Sequence, residues 1–203
     1  MEILDHSPTR GRPREFDVDE ALAQALRVFW TKGYEGASMS DLTEAMGITR
    51  PSLYAAFGNK EQLFRKALDL YERDKLAYVG AALEAPTARG VAERLLRGAL
   101  EMQTSGVDPK GCLGVISSTA CGSEAECIRV EVVARRASSD AALLRRFERA
   151  KAEGDFPEHI DPAGLVSYLS AVIQGLCLQA GNGASTQALE SLVTTTLGLW
   201  PGR

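Results

Sequence analysis

The segment from Ser38 to Lys60, SMSDLTEAMGITRPSLYAAFGNK, constrains the fold more than any other part of the chain. Ser38 is suited to cap a helix that Gly47 ends, and Thr49 is suited to cap a second helix with Pro51 in its first turn. Two helices of about eight residues joined by a glycine turn have the layout of a helix-turn-helix. The second helix of such a unit enters the DNA major groove, so the segment predicts sequence-specific DNA binding.

The rest of the chain also has helical patterning, with no convincing run of strand alternation. Asp17 is suited to cap a first helix that ends at Gly33, and Asn59 to cap a long fourth helix over residues 60–83. The further predicted helices cover residues 87–104, 112–120, 124–152, 164–180 and 185–199. The predicted fold is therefore all-α, with about nine helices. Its predicted parts are a basic flexible arm, a helix-turn-helix domain with three helices, and a helical effector-binding and dimerisation domain, over residues 1–14, 15–60 and 61–203.

Composition excludes several classes of protein. Of the 203 residues, 45% are hydrophobic and 25% are charged, as expected for a globular chain. Polar residues interrupt the apolar stretches before twenty positions, so no membrane span is expected, and the N-terminus lacks the order of a secretion signal. We expect a cytoplasmic protein. Because no phosphate-binding glycine loop, GxSxG or HExxH motif occurs, we expect no enzymatic activity and no catalytic residue.

The net charge of −4 neither supports nor excludes DNA binding, because phosphate attraction is local and salt screens charges beyond roughly 8–10 Å. Four cysteines occur in the second half of the chain, at Cys112, Cys121, Cys127 and Cys177, and none forms a CxxC pair. This spacing predicts reduced, mostly buried thiols, with neither a metal site nor a cofactor. Cys112 follows a glycine at a predicted helix start, beside a lysine, so a redox or electrophile sensor remains an alternative for it.

The outward side of the second short helix is small, polar and free of acids. Arg50 can donate two hydrogen bonds to guanine, Ser52 can reach bases or phosphate, and Ala55 can touch a thymine methyl. Tyr54 and Lys60 are expected to hold phosphates, as are the serines that begin the preceding helix. Arginines of the arm can follow the backbone or enter the minor groove. The predicted DNA-contacting residues are Arg10, Arg12, Arg14, Ser38, Ser40, Arg50, Pro51, Ser52, Tyr54, Ala55 and Lys60.

Residues 12–71 resemble the N-terminal domain of the TetR family of transcriptional regulators, as typified by AcrR-like repressors. The resemblance is carried by the RGRPR arm, the F-x-x-x-G-Y-x-G run at Phe29–Gly36, SMSDLTEAMGIT at Ser38–Thr49, and SLYAAFGNKEQLF at Ser52–Phe64. These motifs cover about a third of the chain. The remainder is similar to the family only in size, helical content and helix order.

This resemblance implies a homodimer that binds a palindromic operator and releases it when a small molecule enters the body. Two helical stripes are candidates for a four-helix dimer interface. The predicted interface residues are Leu165, Leu169, Ala171, Val172, Gly175, Leu176, Leu189, Leu192, Val193 and Thr196. The alternative is that both stripes face the protomer's own core. The candidate ligand-binding residues are Met102, Leu113, Ile116, Phe147, Tyr168, Ile173 and Cys177, although the residue types of each favour plain core over a ligand wall.

The sequence leaves two other functions open besides the ligand-responsive repressor. One is a regulator that senses redox state or electrophiles through Cys112, and the other is a helical dimer that binds proteins but not DNA. Salt-dependent DNA binding separates the regulators from the interaction protein. The effector, the operator and the choice between repression and activation cannot be inferred from these residues.

Overall fold

The computed structural model describes residues 16–119, 122 and 125–201, and this part of the chain contains ten α-helices and no strand. The predicted arm with Arg10, Arg12 and Arg14 lies outside the described residues, as does Cys121. The helices are α1 (Val18–Gly36), α2 (Met39–Met46), α3 (Arg50–Phe57), α4 (Lys60–Lys75), α5 (Ala77–Leu83), α6 (Ala88–Thr104), α7 (Leu113–Thr119), α8 (Glu126–Ala152), α9 (Pro162–Gly181) and α10 (Thr186–Gly198). The all-α prediction is thus confirmed, with one helix more than expected.

Side-chain caps fix the ends of the short helices in the N-terminal part. Ser38 Oγ accepts a hydrogen bond from the Asp41 N–H, while the Asp41 carboxylate accepts one from the Ser38 N–H, which completes a capping box. Gly47 then takes left-handed backbone angles (φ 64°, ψ 27°) that a side chain would disfavour. Thr49 caps α3 through the Ser52 N–H, and Asn59 caps α4. Each of these caps was predicted from the sequence.

The predicted end of the first helix at Gly33 is a kink. Gly33 has φ 70° and ψ 176°, so it leaves the helical conformation, but helical hydrogen bonding continues to Gly36. A Cβ at position 33 would lie 3.2 Å from Ile116 Cγ2 on α7. Because Gly33 has no side chain, α7 can approach α1 closely at this kink.

The predicted helix from residue 60 to residue 83 is wrong as a single element. It divides at Leu76, whose φ of −104° and ψ of 10° end α4 without any proline or glycine. After the break, α5 packs along α6, and the Tyr78 ring lies so close to Gly98 that a Cβ there would come within 2.3 Å of it. Packing against α6, and not a local sequence signal, accounts for the change of direction.

Two groups of buried side chains form the core. The first joins α1 to α4 and extends to Leu113, Ile128 and Val132 of α7 and α8. The second lies among α5, α6, α8, α9 and α10. The N-terminal helices therefore share their core directly with α7 and α8 of the body.

Most of the predicted dimer-interface stripe faces this second core. Six of its members are buried within the protomer: Leu165, Leu169, Leu176, Leu189, Val193 and Thr196. Val172 and Leu192 are half-buried and pack against the same core, whereas Ala171 is exposed. A single subunit already uses these buried side chains of α9 and α10 to cover α6.

Candidate nucleic-acid interface and effector cavity

The third helix presents a small polar surface outward. Leu53 and Phe57 are buried beneath it, whereas Pro51, Tyr54 and Ala55 are exposed, Tyr54 to 52%. No acidic residue occurs in α3. The predicted base-reading side of this helix is therefore accessible, and its opposite side anchors it to the protomer.

Arg50 and Ser40 are brought together at the first turns of α3 and α2. The Arg50 Nη2 donates a hydrogen bond to Ser40 Oγ over 3.0 Å. A guanidinium carries five N–H donors, and this contact uses one of them. The bond orients the guanidinium beside the exposed first turn of α2, where a base edge or a phosphate could meet it.

The two other serines of the predicted set take part in helix caps. Ser38 Oγ donates to the Asp41 carboxylate over 2.8 Å. Ser52 is half-buried, and its Oγ lies 2.9 Å from Thr49 Oγ1. Thr49, which the sequence suggested only as a cap, is exposed next to Arg50 and is a further candidate for phosphate contact.

Lys60 begins α4 with its ammonium over an aromatic ring. Its Nζ lies 4.6 Å from the centroid of the Tyr34 ring on α1, a cation–π distance. Burial lowers the pKa of Lys60, although the nearby carboxylates of Glu35 and Asp41 act in the opposite direction. The ring holds the ammonium in place at the junction of α1 and α4.

A cavity of about 410 Å³ lies in the body beneath α4. Its wall is mainly apolar around Leu68, Tyr71 and Met102, and becomes polar near Arg136 and Gln174. Ligand pockets of 300–1,000 Å³ with a few placed polar groups are typical of proteins that bind small molecules. The cavity therefore has the volume and the chemistry of an effector site.

Comparison with known proteins places these features in a family. Residues 21–67 match the family model described as bacterial regulatory proteins, tetR family. The HTH-type transcriptional repressor ComR of Escherichia coli K12 is 36% identical over 195 residues, which cover 95% of this chain and 93% of ComR. The chain belongs to the TetR family of transcriptional regulators.

Two further relatives cover nearly the whole of this TetR-family chain. The HTH-type transcriptional repressor BdcR of Escherichia coli K12 is 30% identical over 93% of this chain and 91% of BdcR. A cysteine mutant of the TetR family transcriptional regulator CifR, complexed with 26-base-pair double-strand operator DNA, is 41% identical. It covers 94% of this chain and 100% of its own, with a TM-score of 0.88. These relatives are regulators and not enzymes, as expected from the sequence.

The 410 Å³ cavity is lined by three of the seven predicted ligand residues. Met102, Ile173 and Cys177 line it. Leu113 and Phe147 are fully buried in the two cores, because each faces neighbouring helices and not the cavity. Tyr168 is 42% exposed on the outside of α9, and Ile116 lies on a second cavity, next to Trp30.

Sequence reasoning missed the polar part of the cavity wall. Ser170 Oγ donates to the Asp140 carboxylate over 2.8 Å, and Arg136 Nη1 donates to Gln174 Oε1 over 3.2 Å. Ser170 and Gln174 are four residues apart on α9, on the same side of an otherwise apolar helix. That spacing was the signal available in the sequence.

Ion pairs attach the TetR-family DNA-binding part to the body across this cavity. Arg135 of α8 contacts Asp69 and Glu72 of α4 at 2.7 and 2.8 Å. Arg65 of α4 in turn contacts Glu131 of α8 at 2.5 Å. Isolated surface pairs contribute little, but this group of alternating charges fixes the position of α4 relative to α8. Displacement of α8 by a ligand would therefore move α4.

The cysteines differ more in exposure than the sequence suggested. Cys177 is buried and Cys112 is half-buried, but Cys127 is exposed, and all three are free thiols. Within the described part of the chain, no group of three or more His, Cys, Asp or Glu side chains could hold a metal ion.

Proposed function

We propose that this regulator is a repressor that binds a palindromic operator as a homodimer and is released when a small molecule occupies the body cavity. The observation that carries the DNA-binding part is the exposed, acid-free side of α3, with Arg50 oriented by Ser40. The operator complex of CifR supports the proposal by similarity. A regulator with this role would act on DNA in the cytoplasm.

The dimer surface that we propose is the outer side of α9 and α10, which retains Ala171 and Gly175 of the predicted interface but not its buried members. Positions 164, 168, 171, 175 and 178 of α9 follow each other at intervals of four and three residues. Tyr168 and Leu178 are 42% and 57% exposed there, and Leu199 is 74% exposed at the end of α10. Glu190 is the only charged residue between Asp161 and Arg203. Large apolar side chains exposed in a segment with a single charge are typical of a subunit interface.

The apolar character of α9 supports the same surface. Contrary to the sequence expectation, α9 is long and apolar enough to cross a membrane by length and composition, yet only 33% of its apolar window is buried in the protomer. Ser170 and Gln174, on the cavity side, are hydrogen-bonded to side chains of α8. A second α9, packed against Ala171 and Gly175, would cover the remainder as one half of a four-helix interface.

The cavity supports an effector that is mainly apolar with at least one polar group. Tyr71, Tyr78 and Leu95 line its apolar part, whereas Arg136 and Ser170 lie in its polar part. Such a ligand would shift the population of dimers towards the arrangement that it binds more tightly, by no more than the difference in its two affinities. The ion pairs between α4 and α8 would transmit this shift to the spacing of the two α3 helices.

Selection of bound DNA from a random pool tests the central proposal. We expect a palindrome whose half-sites lie about one DNA turn apart, roughly 34–36 Å or slightly more. Binding to it should weaken steeply as salt rises, because phosphate contacts release counterions. A pool without enrichment, or binding that does not respond to salt, would favour the alternative of a helical dimer that binds only proteins.

Replacement of single arginines separates base reading from general attraction. We expect Arg50→Ala to cost about 1–3 kcal/mol of operator affinity and to relax specificity at one base pair per half-site. Arg73→Ala is the matched control: it removes the same charge from a 73% exposed side chain near the far end of α4, about 20 Å from the start of that helix. If the two variants bound operator and random DNA alike, Arg50 would not read a base.

A further inference from the structure

We infer that Cys112, with Cys177 and Tyr71, forms a site in the cavity wall at which a soft carbon electrophile binds covalently and weakens operator binding. The inference deepens the proposed function, because it names a chemical class of effector and rests on regulated DNA binding. Both cysteines line the 410 Å³ cavity, and both also line a second cavity of about 550 Å³ between α1 and the end of α9. A small molecule in either cavity would meet the two thiols.

The groups around Cys112 suit a thiolate. Tyr71 donates its O–H to Cys112 Sγ over 3.6 Å. The Cys177 side chain and the backbone groups of Gly114 and Val115 also favour the charged form of this sulfur. Burial opposes the charge, but these donors together lower the pKa of Cys112, chiefly through Cys177. The thiolate is the nucleophilic form of cysteine, so Cys112 is prepared for reaction near neutral pH.

Cys177 and Tyr71 remain protonated beside this thiolate. The hydrogen bond to Cys112 and burial both raise the pKa of Cys177. Burial likewise raises the pKa of Tyr71 well above its usual value. In addition, Gln103 Nε2 lies 3.7 Å from Cys177 Sγ and holds that side chain in place. The arrangement therefore consists of one nucleophile and two neutral donors.

The reaction with an activated alkene needs no oxidant. Cys112 Sγ uses a lone pair to form a bond to the alkene carbon β to a carbonyl, and the π electrons move to the other alkene carbon, which lies next to that carbonyl. That carbon takes a proton from Cys177 or from water, and a proton from water restores Cys177. The product is a neutral thioether at Cys112 that no longer accepts the hydrogen bonds of a thiolate.

The position of Cys112 explains how such an adduct would reach the DNA-binding helices. Its neighbour Gly111 accepts a hydrogen bond from Trp30 Nε1 of α1 over 3.0 Å. The rings of Trp30 and Tyr71 meet edge to face with their centroids 4.8 Å apart. An adduct on Cys112 would displace Tyr71 and with it the contact between α1 and α4, the two helices that frame α2 and α3.

The first experiment uses N-ethylmaleimide as the probe on the full chain with Cys121→Ser and Cys127→Ser, which leaves only the two cysteines of the site. We expect one adduct per chain, located at Cys112 by peptide mass mapping. Its rate should rise with pH around a midpoint at least about one unit below that of an ordinary thiol, near 8.5. A chain with Cys127 retained and Cys112→Ser gives the midpoint of an exposed cysteine for comparison. Modification of Cys177 first, or equal midpoints at Cys112 and Cys127, would overturn the inference.

Two replacements of Cys177 test whether its hydrogen-bond donor activates Cys112, because alanine and serine are both small and only serine keeps a donor. Cys177→Ala removes the S–H and should move the midpoint for Cys112 upwards, towards that of Cys127. Cys177→Ser keeps a donor in the same place and should leave the midpoint close to that of the parent. If alanine and serine gave the same profile, Cys177 would not activate Cys112.

The last measurement separates this inference from the proposed function. The unmodified parent must bind the selected operator with a steep salt dependence, and failure there would refute the proposed function itself. Given that binding, we expect the maleimide adduct to weaken operator affinity at least tenfold, with no change in the Cys112→Ser variant after the same treatment. Full modification with unchanged operator affinity would refute the role of Cys112 as an effector site.

Discussion

Gln103 connects the loop before Cys112 to α6, and its replacement tests the packing at the junction of the two parts. The side chain is 2% exposed. Its Oε1 accepts the Gly111 N–H over 2.6 Å, and its Nε2 donates to the Gly111 carbonyl over 3.1 Å. The Gly111 carbonyl has a second donor in Trp30, but Gln103 provides the side-chain acceptor for the Gly111 N–H.

The expected cost of Gln103→Leu follows from these contacts. A buried N–H left without an acceptor costs about 1–3 kcal/mol, and loss of one of two donors to the carbonyl costs about 1 kcal/mol. The added apolar burial of leucine offsets roughly 1 kcal/mol of this loss. We therefore expect the free energy of unfolding to fall by about 1–3 kcal/mol.

Urea denaturation measures this loss at a fixed protomer concentration, because the proposed dimerisation would make stability depend on concentration. With a slope of about 2 kcal/mol per molar urea, the midpoint should fall by about 0.5–1.5 M at unchanged slope. Gln24→Leu is the matched control, because its amide makes only a surface hydrogen bond to Glu20, four residues away. Equal midpoints for the two variants would refute the assignment of Gln103 as a buried clamp on Gly111.

Three further outcomes are expected. Tyr168→Glu should remove about 2 kcal/mol per protomer of the free energy gained by burial at the interface, and should dissociate the dimer in analytical ultracentrifugation. Val107→Glu, at a 68% exposed position outside the proposed interface, should leave the dimer intact. If both variants stayed dimeric, this side of α9 would be excluded as the interface. Lys60→Ala should weaken binding to all DNA sequences alike and reduce the salt slope, and a sequence-dependent loss would contradict a phosphate contact. Contacts with Lys32 and Ser38 lower the pKa of Asp41 in the folded protein. The ionised carboxylate therefore stabilises the fold fully above the unfolded pKa near 3.9, and this stabilisation is lost as pH falls further. The difference in Tm between the parent and Asp41→Asn should shrink below about pH 4, and a difference that stays constant would contradict this linkage.

Local chemistry explains why the N-terminal part could be predicted well. Caps at Ser38, Thr49 and Asn59 bond to groups within three residues, so the sequence contains both partners of each bond. Gly47 ends α2 because the left-handed backbone conformation disfavours a side chain. The helix boundaries and the exposed side of α3 therefore follow from short segments alone.

The helix boundaries and the cavity of the body could not be predicted in the same way, because the contacts that determine them join segments far apart in the sequence. The break at Leu76 has no proline or glycine to announce it and depends on how Tyr78 packs on Gly98. The cavity wall combines α4, α8 and α9, so the choice between core and ligand wall for Phe147 or Met102 depends on helix positions. Hydrophobic character alone is the same in both places.

The sequence by itself determined the all-α class, the helix-turn-helix and its candidate reading residues, since periodicity, caps and glycine turns act over one or two helical turns. Only the tertiary structure decided which side of α9 and α10 the protomer uses for its own core, and which side stays exposed. It also brought Cys112, Cys177 and Tyr71 together from three separate segments of the chain. An apolar stripe in the sequence predicts that a helix face is buried, but it does not indicate whether the same subunit or another one covers that face.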